Sequence, residues 1–228
     1  MKYYEHLYNT HEINMVLNSI NNVYEKYHPR IYAHCHGWYH AMFVVNTIEY
    51  ILKSLSYDIK IIELGKIAGL LHDIGMIAGR REHGRKSAAL AEIIFDGSEH
   101  LLLREIPQNE RKIIFHAIED HDSSKNKSSV IGAALFIADK LDFSKNRVLP
   151  VPVEKQDDVY KNGLEINNVD INVSGKVIIV NAITTKAFSK EMFMKWYSYP
   201  YSLILKEADY LGCTCNLYFN GTDERYAN

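Results

Sequence analysis

Cysteine is scarce. The 228 residues hold three, Cys35, Cys213 and Cys215, an odd count with no Cys-x-x-Cys pair. That excludes a disulfide framework and a thiolate zinc site, and it fits a reducing, cytoplasmic setting. Long apolar runs are missing as well. Lys, Glu or Asp interrupts each stretch before it reaches the ~18 residues a membrane span needs, so no membrane partner is expected. The opening MKYYEHLYNT lacks both the basic start and the apolar core of a secretory leader, and none is expected. An excess of one charge is missing too. The balance of 26 basic against 28 acidic residues leaves a net charge of −2. Duplex nucleic acid is therefore not the expected partner, while a local basic site for a small phosphorylated molecule stays open. What remains is ordinary globular composition, 47% hydrophobic and 24% charged. It suits one generous domain, or one domain with a small appendage.

Helical periodicity fills the chain up to about residue 142. Val16, Leu17, Ile20, Val23 and Tyr24 show it first. Phe43, Val44, Thr47, Ile48, Ile51, Leu52 and Leu55 show it next, and a third run, Ile59 to Leu71, is nearly apolar at its end. Ser87–Phe95, Glu110–Glu119 and Ser129–Leu141 add three more, with Gly84 and Pro107 at helix starts. The composition shifts after Phe143. VLPVPVEKQDD reads as a linker, and GLEINNVDINVSGKVIIVNAITT alternates apolar and polar residues about Ser174-Gly175-Lys176 as a β-hairpin does. Pro200 to Leu211 reads as a helix closed by Gly212, and CTCNLYF as a final strand with both cysteines buried. The expected fold is mainly α: a helical bundle over residues 1–145, a linker over 146–163, and a small α+β extension (hairpin, helix, strand) over 164–228.

The chemistry lies in histidine and aspartate. His36, His40, His72, Asp73, His83, His116, His121, Asp122 and Asp139 all fall in or beside helical patterns. Asp139 stands among Leu135, Phe136 and Ile137, where an unpaired carboxylate costs on the order of several kcal/mol unless a cation offsets it. Imidazole and carboxylate together are ligands for divalent transition metals. Each residue alone has a plainer account. A lone buried histidine is usually a satisfied core residue, and GRREHGRK can be a solvated charge run. His6, His11, His28 and His100 have no such context and read as surface residues. WYSYPY in the tail reads as packing or an interface.

Three motifs in order carry a resemblance. HAMFV (His40–Val44), LLHDIG (Leu70–Gly75) and IADKLD (Ile137–Asp142) resemble the motifs of the HD superfamily of metal-dependent phosphohydrolases, and the first two histidines stand 32 residues apart. YHPRIYAHCHGWYHAMFV resembles a subgroup with a histidine, here His36, four before the first ligand. HGRKSAALA and IIFHAIEDHD resemble the segments that supply a second metal site in binuclear members. There His116 and His121 compete; five apart, they point to different helix faces, and His121 is favoured, leaving His116 to line the pocket.

The resemblance implies an HD-domain helical bundle that holds one or two divalent metal ions, with Mn, Fe, Mg, Zn, Ni and Co all open. His40, His72, Asp73 and Asp139 are the implied ligands of one ion, and Asp73 bridges to a second held by His83 and His121. Asp73 and His83, with Arg81 and Lys86, are the implied catalytic groups. Arg80, Arg85, Lys140, His36 and His116 are implied pocket residues. Gly75 is taken to let the chain turn away after the doublet. Met76 departs from the lysine many relatives carry, which transfers the task of orienting phosphate to Arg80, Arg81, Arg85 or Lys86. The Gly-Tyr-Pro of cyclic-di-GMP-specific members is absent; HDSSKNKSS stands there. The implied activity is hydrolysis of a phosphate ester, a nucleotide or other small phosphorylated metabolite, by a metal-activated water. The alternative is a non-catalytic HD-fold sensor or regulatory subunit that binds nucleotide or metal, or a tail that mediates homo-oligomer assembly.

Overall fold

The computed structural model describes residues 2–27, 34–123, 127–150 and 152–223. His28 lies outside the described residues, as do 29–33 and 124–126 of the segments quoted above. Helices begin where short polar side chains can take an orphan N–H. Asp58 accepts from the Lys60 N–H to open α4 (Ile59–Leu71), and Ser129 accepts from the Gly132 N–H to open α7 (Val130–Lys140). The other helices of the bundle are α1 (Lys2–Tyr8), α2 (His11–Tyr27), α3 (Trp38–Ser54), α5 (His83–Asp96) and α6 (Gln108–Asp120). On α3 the buried residues Val44, Val45, Ile48, Ile51 and Leu52 form one face, turned to α4 and α7. The ends of α4 and α7 are buried all round, as their uninterrupted apolar sequence requires.

The tail forms a small sheet. β1 (Ile166–Ser174) and β2 (Val177–Thr184) pair antiparallel across the two-residue turn Gly175-Lys176, with Gly175 at φ 58°, the left-handed region a tight hairpin needs. β3 (Thr214–Phe219) adds to β2 in parallel, and the two-residue β4 (Thr222–Asp223) completes the order β1-β2-β3-β4. The parallel pairing requires a crossover, supplied by α9 (Lys190–Tyr210).

Two expectations change here. The tail helix begins at Lys190, ten residues before Pro200, and Pro200 sits in its interior. Proline gives up one helical hydrogen bond there, but the Ser189 cap and the buried Phe193 and Tyr197 hold the earlier turns in place. The segment with linker composition carries a helix of its own, α8 (Asp158–Leu164). Among the described residues no helix is long and apolar enough to cross a membrane. All three cysteines are free and buried. His6 and His100, read as solitary surface residues, meet each other at 3.0 Å between ring nitrogens.

α9 fastens the sheet onto the bundle. Tyr197 donates its hydroxyl to the Lys140 carbonyl at 2.7 Å, and its ring packs on Phe143 with a centroid separation of 4.9 Å. The tail therefore covers the end of the bundle where α7 finishes.

Candidate metal centre

Five helix ends meet beneath that cover. His72 caps the C-terminus of α4 and His121 that of α6, while Asp139 is the penultimate residue of α7. His40 lies in the first turn of α3, and His83 is the first residue of α5. Carbonyls in the last turns of α4 and α6, and one in the turn before α5, fix three of the rings. The Nδ1–H of His72 donates to the Gly69 carbonyl at 2.8 Å, and that of His121 to the Ile118 carbonyl at 2.6 Å. His83 donates to the Arg80 carbonyl at 3.1 Å. In each case the acceptor lies three residues upstream. A carbonyl only accepts, so in all three rings Nδ1 carries the proton and Nε2 presents a lone pair. For His40, Asp142 Oδ2 takes the Nδ1–H at 2.7 Å, and Arg147, which can only donate, points Nη2 at Nε2 from 3.1 Å.

Four lone pairs thus converge. The Nε2 atoms of His40 and His72 are 3.2 Å apart, and those of His83 and His121 3.0 Å. Asp73 stands between the pairs. Its Oδ2 lies 3.1 Å from His72 Nε2 and 3.5 Å from His40 Nε2, and its Oδ1 lies 3.3 Å from His83 Nε2 and 3.4 Å from His121 Nε2. Asp139 Oδ1 is 3.1 Å from His40 Nε2. Neither oxygen of Asp73 receives a properly aimed hydrogen bond among the described residues. A fully buried carboxylate among imidazole nitrogens is a donor set that could hold a divalent cation. Among the described residues two buried groups bring their ligand atoms close enough to share an ion, His40-His72-Asp139 and His72-Asp73-His121.

Protons and a cation compete for the same lone pairs. Burial opposes charge on His72 and His83, but the Asp73 carboxylate outweighs it and raises both above the ordinary imidazole value. At His121 burial prevails and lowers it. Burial alone would raise the Asp139 carboxyl, yet Lys140 and Arg147 hold it well below the usual carboxylate range.

A cavity of about 110 Å³ opens onto this centre. Arg80, Lys140, Arg147, His34, His36 and Asp122 line it with Asp73, His83, His121 and Asp139. Lys140 Nζ bridges Asp139 and Asp122, at 2.8 Å from each. Buried Arg147 donates to the Asp139 and Asp142 carbonyls at 2.9 and 3.0 Å and to Asp139 Oδ1 at 3.1 Å. The structure does not bring every implied residue here. His116 is exposed on the outside of α6. Arg81 and Arg85 are exposed and line neither this cavity nor the one beside it. Lys86 donates to the carbonyls of Ala78 and Gly79 at 2.8 and 3.1 Å, which ties it to the preceding turn. Met76 is buried. Three residues had escaped the sequence: His34, Asp142 and Arg147. Asp142 lies three after Asp139, a spacing that shares a helix face and could have marked it.

Gly75 acts by packing rather than turning. Its φ is not positive; Gly79 at φ 94° and Glu82 at φ 54° make the turn. A Cβ on Gly75 would lie 2.4 Å from the Ser87 nitrogen and 2.6 Å from the His83 carbonyl oxygen. One on Gly84 would lie 2.6 Å from the Glu119 carbonyl oxygen. The two glycines let the first turn of α5 press against both the His-Asp turn and α6, which is what brings His83 to Asp73 and His121.

Asp142 orients His40 without sharing its ligand position. Asp142→Asn is expected to weaken divalent-metal binding about tenfold, because the ring loses the carboxylate that fixes its tautomer and orientation. Metal titration of the purified variant measures this, and unchanged affinity contradicts it.

Residues 37–144, slightly less than half of the chain, match the family model described as HD domain. A solved structure from an uncultured Thermotogales bacterium, a predicted HD superfamily hydrolase, is similar at 23% identity with a TM-score of 0.40. The match covers 56% of this chain and 66% of that one, so the chain spans just under two thirds of that structure's length. No curated protein matches the chain.

Proposed function

With residues 37–144 an HD domain, we propose that this protein is a metal-dependent phosphohydrolase acting on a small phosphate ester, foremost a nucleotide. The observation that carries it is Asp73, whose two buried oxygens each face a different pair of imidazole lone pairs. In this reading His40, His72, Asp73 and Asp139 hold one cation, and Asp73, His83 and His121 hold a second. Bound there, divalent cations supply Lewis acidity and a lowered pKa for a coordinated water. Four imidazoles among the ligands favour Mn, Fe, Co, Ni or Zn over Mg or Ca.

The chain's own groups do the rest. Arg80 at the mouth, with Lys140 and Arg147 within, meets the negative charge of the phosphoryl group, the task given to Arg80, Arg81, Arg85 or Lys86 on sequence grounds. Lys140 is kept charged against burial by Asp139 and Asp122. Trp196 and Tyr197 of α9 roof the cavity and limit its water. Water supplies the oxygen that joins phosphorus as the bond to the alcohol oxygen breaks, and its proton ends on the departing alcohol. A phosphate-release screen over nucleoside monophosphates, sugar phosphates and phosphodiesters tests the proposal. Release that stops with a chelator and returns with added metal is expected; no release from any ester with metal present overturns it.

The pH dependence of metal binding follows from the ligands. Each Nε2 must be deprotonated to bind, so protons displace metal as pH falls. His72 and His83 are raised above their ordinary 6.5. Affinity is therefore expected to begin falling while pH is still above 6.5 and to drop steeply below it, with protons released on binding. Calorimetric titration at about pH 8 and about pH 6 checks this, and equal affinities at the two contradict it.

A further inference from the structure

Beside the metal centre lies a second cavity of about 600 Å³, inside the ~300–1,000 Å³ of small-molecule sites. The two share His34, Arg80, Asp122, Lys140, Trp196 and Pro200, so they form one recess with a polar throat. Beyond the throat the wall is apolar, made by Phe136 of α7, Val159 of α8 and Tyr199 and Leu203 of α9. Trp196, Tyr199, Pro200 and Leu203 recur at helical spacing and occupy one face of α9. A different set, Phe193, Tyr197, Ile204 and Ala208, is what α9 buries to dock on the fold. The helix thus presents a second apolar stripe that its own packing covers only in part: Leu203 touches the core and Trp196 meets Phe193 edge-on. Trp196 is left 37% exposed and Tyr199 61% exposed, two large rings at the edge of a recess, which is the surface a ligand covers.

We propose that this recess seats the organic part of a phosphate ester whose alcohol carries a flat aromatic ring, the ring against Trp196 and Tyr199 and the phosphate at the metal centre. This rests on the phosphohydrolase reading and adds the substrate class to it. The order of chemistry along the recess matches the ligand. Metal ligands and the cations Arg80 and Lys140 come first, then the polar throat, then rings. The segment after the HD domain becomes the part of the chain that selects the substrate. A nucleobase and a simple aryl group both offer the flat ring, and comparing their esters separates them.

Two readouts on the full chain test this. The first is kcat/KM for phosphate release from methyl phosphate, phenyl phosphate and a nucleoside monophosphate, with metal present. The second is binding without turnover. The chain has two tryptophans, so Trp38→Phe leaves Trp196 as the one indole, and its emission is followed as nitrobenzylphosphonate or methylphosphonate is added. Expected are a preference for the ring-bearing esters and quenching of Trp196 by nitrobenzylphosphonate alone. Tyr199→Ala, at an exposed position that leaves folding intact, and Trp196→Leu are each expected to lower the preference about tenfold, the scale of one lost stacking contact. Of the two ring-bearing esters, the better substrate names the kind of ring. Hydrolysis with no preference for a ring and no quenching overturns the recess and leaves the phosphohydrolase standing. Quenching with no hydrolysis of any ester upholds the recess and overturns the phosphohydrolase.

Discussion

Asp73→Ala is expected to abolish metal binding at both positions and to lower phosphate release at least about a thousandfold, while the protein stays helical. Among the described residues the carboxylate is the one group that faces both histidine pairs. In the proposed two-cation arrangement its loss would take a ligand from each cation and the negative charge between them. The fold does not depend on it in the same way, because among the described residues no aimed hydrogen bond reaches either oxygen. The apolar ends of α4 and α7 hold the surrounding helices. The difference is clearest in thermal unfolding with added metal. A ligand at a hundred times its Kd stabilises by about 2.7 kcal/mol, so the wild-type midpoint climbs with metal and the variant's does not. Elemental analysis and melting curves read both effects. A variant that retains metal, or one that unfolds without it, contradicts this account of Asp73.

The second large effect comes from a residue with no chemistry of its own. Gly75→Ala is expected to destabilise the protein by about 3 kcal/mol, a drop of roughly 6–12 °C in midpoint for a chain of this size. The atoms a Cβ would strike, the Ser87 nitrogen and the His83 carbonyl oxygen, belong to backbone, so no rotamer change relieves the clash. The first turn of α5 has to move away, taking His83 from Asp73 and His121. Loss of one cation per chain is therefore expected along with the lower midpoint. Gly163→Ala is the control: its nearest new contact would be an ordinary 3.8 Å to Val148 Cγ2, and both properties are expected to stay as they are. If Gly75→Ala matches this control, the close approach does not set the position of His83.

The clustering of the candidate metal ligands was legible because these residues sit where helical patterns stop. An apolar run that ends in His72-Asp73, and another that ends in Asp139, mark helix ends facing a common point, and the upstream carbonyl that fixes each ring is there in any helix. Its surroundings were less legible, since they depend on how distant segments fold back. Arg147 follows the composition shift and reaches Asp139 only because the chain doubles under α3, where His34 bridges to Val148. Arg80 and Arg81 are adjacent in sequence, yet the left-handed turn at Glu82 sends only Arg80 to the cavity. Lys86 carries the right charge but lies over the carbonyls of Ala78 and Gly79. In the tail, alternation fixed the hairpin and its turn, while nothing in the strand sequences announced that β3 would join β2 in parallel. Pro200 was a misleading start signal, because burial of Phe193 and Tyr197 outweighs one lost hydrogen bond.

The central proposal is that one buried carboxylate, Asp73, organises two cations. Elemental analysis of the wild-type chain after equilibrium dialysis against a transition-metal salt such as manganese chloride counts them directly. Two ions per chain are predicted; one ion or none contradicts the bridging role of Asp73.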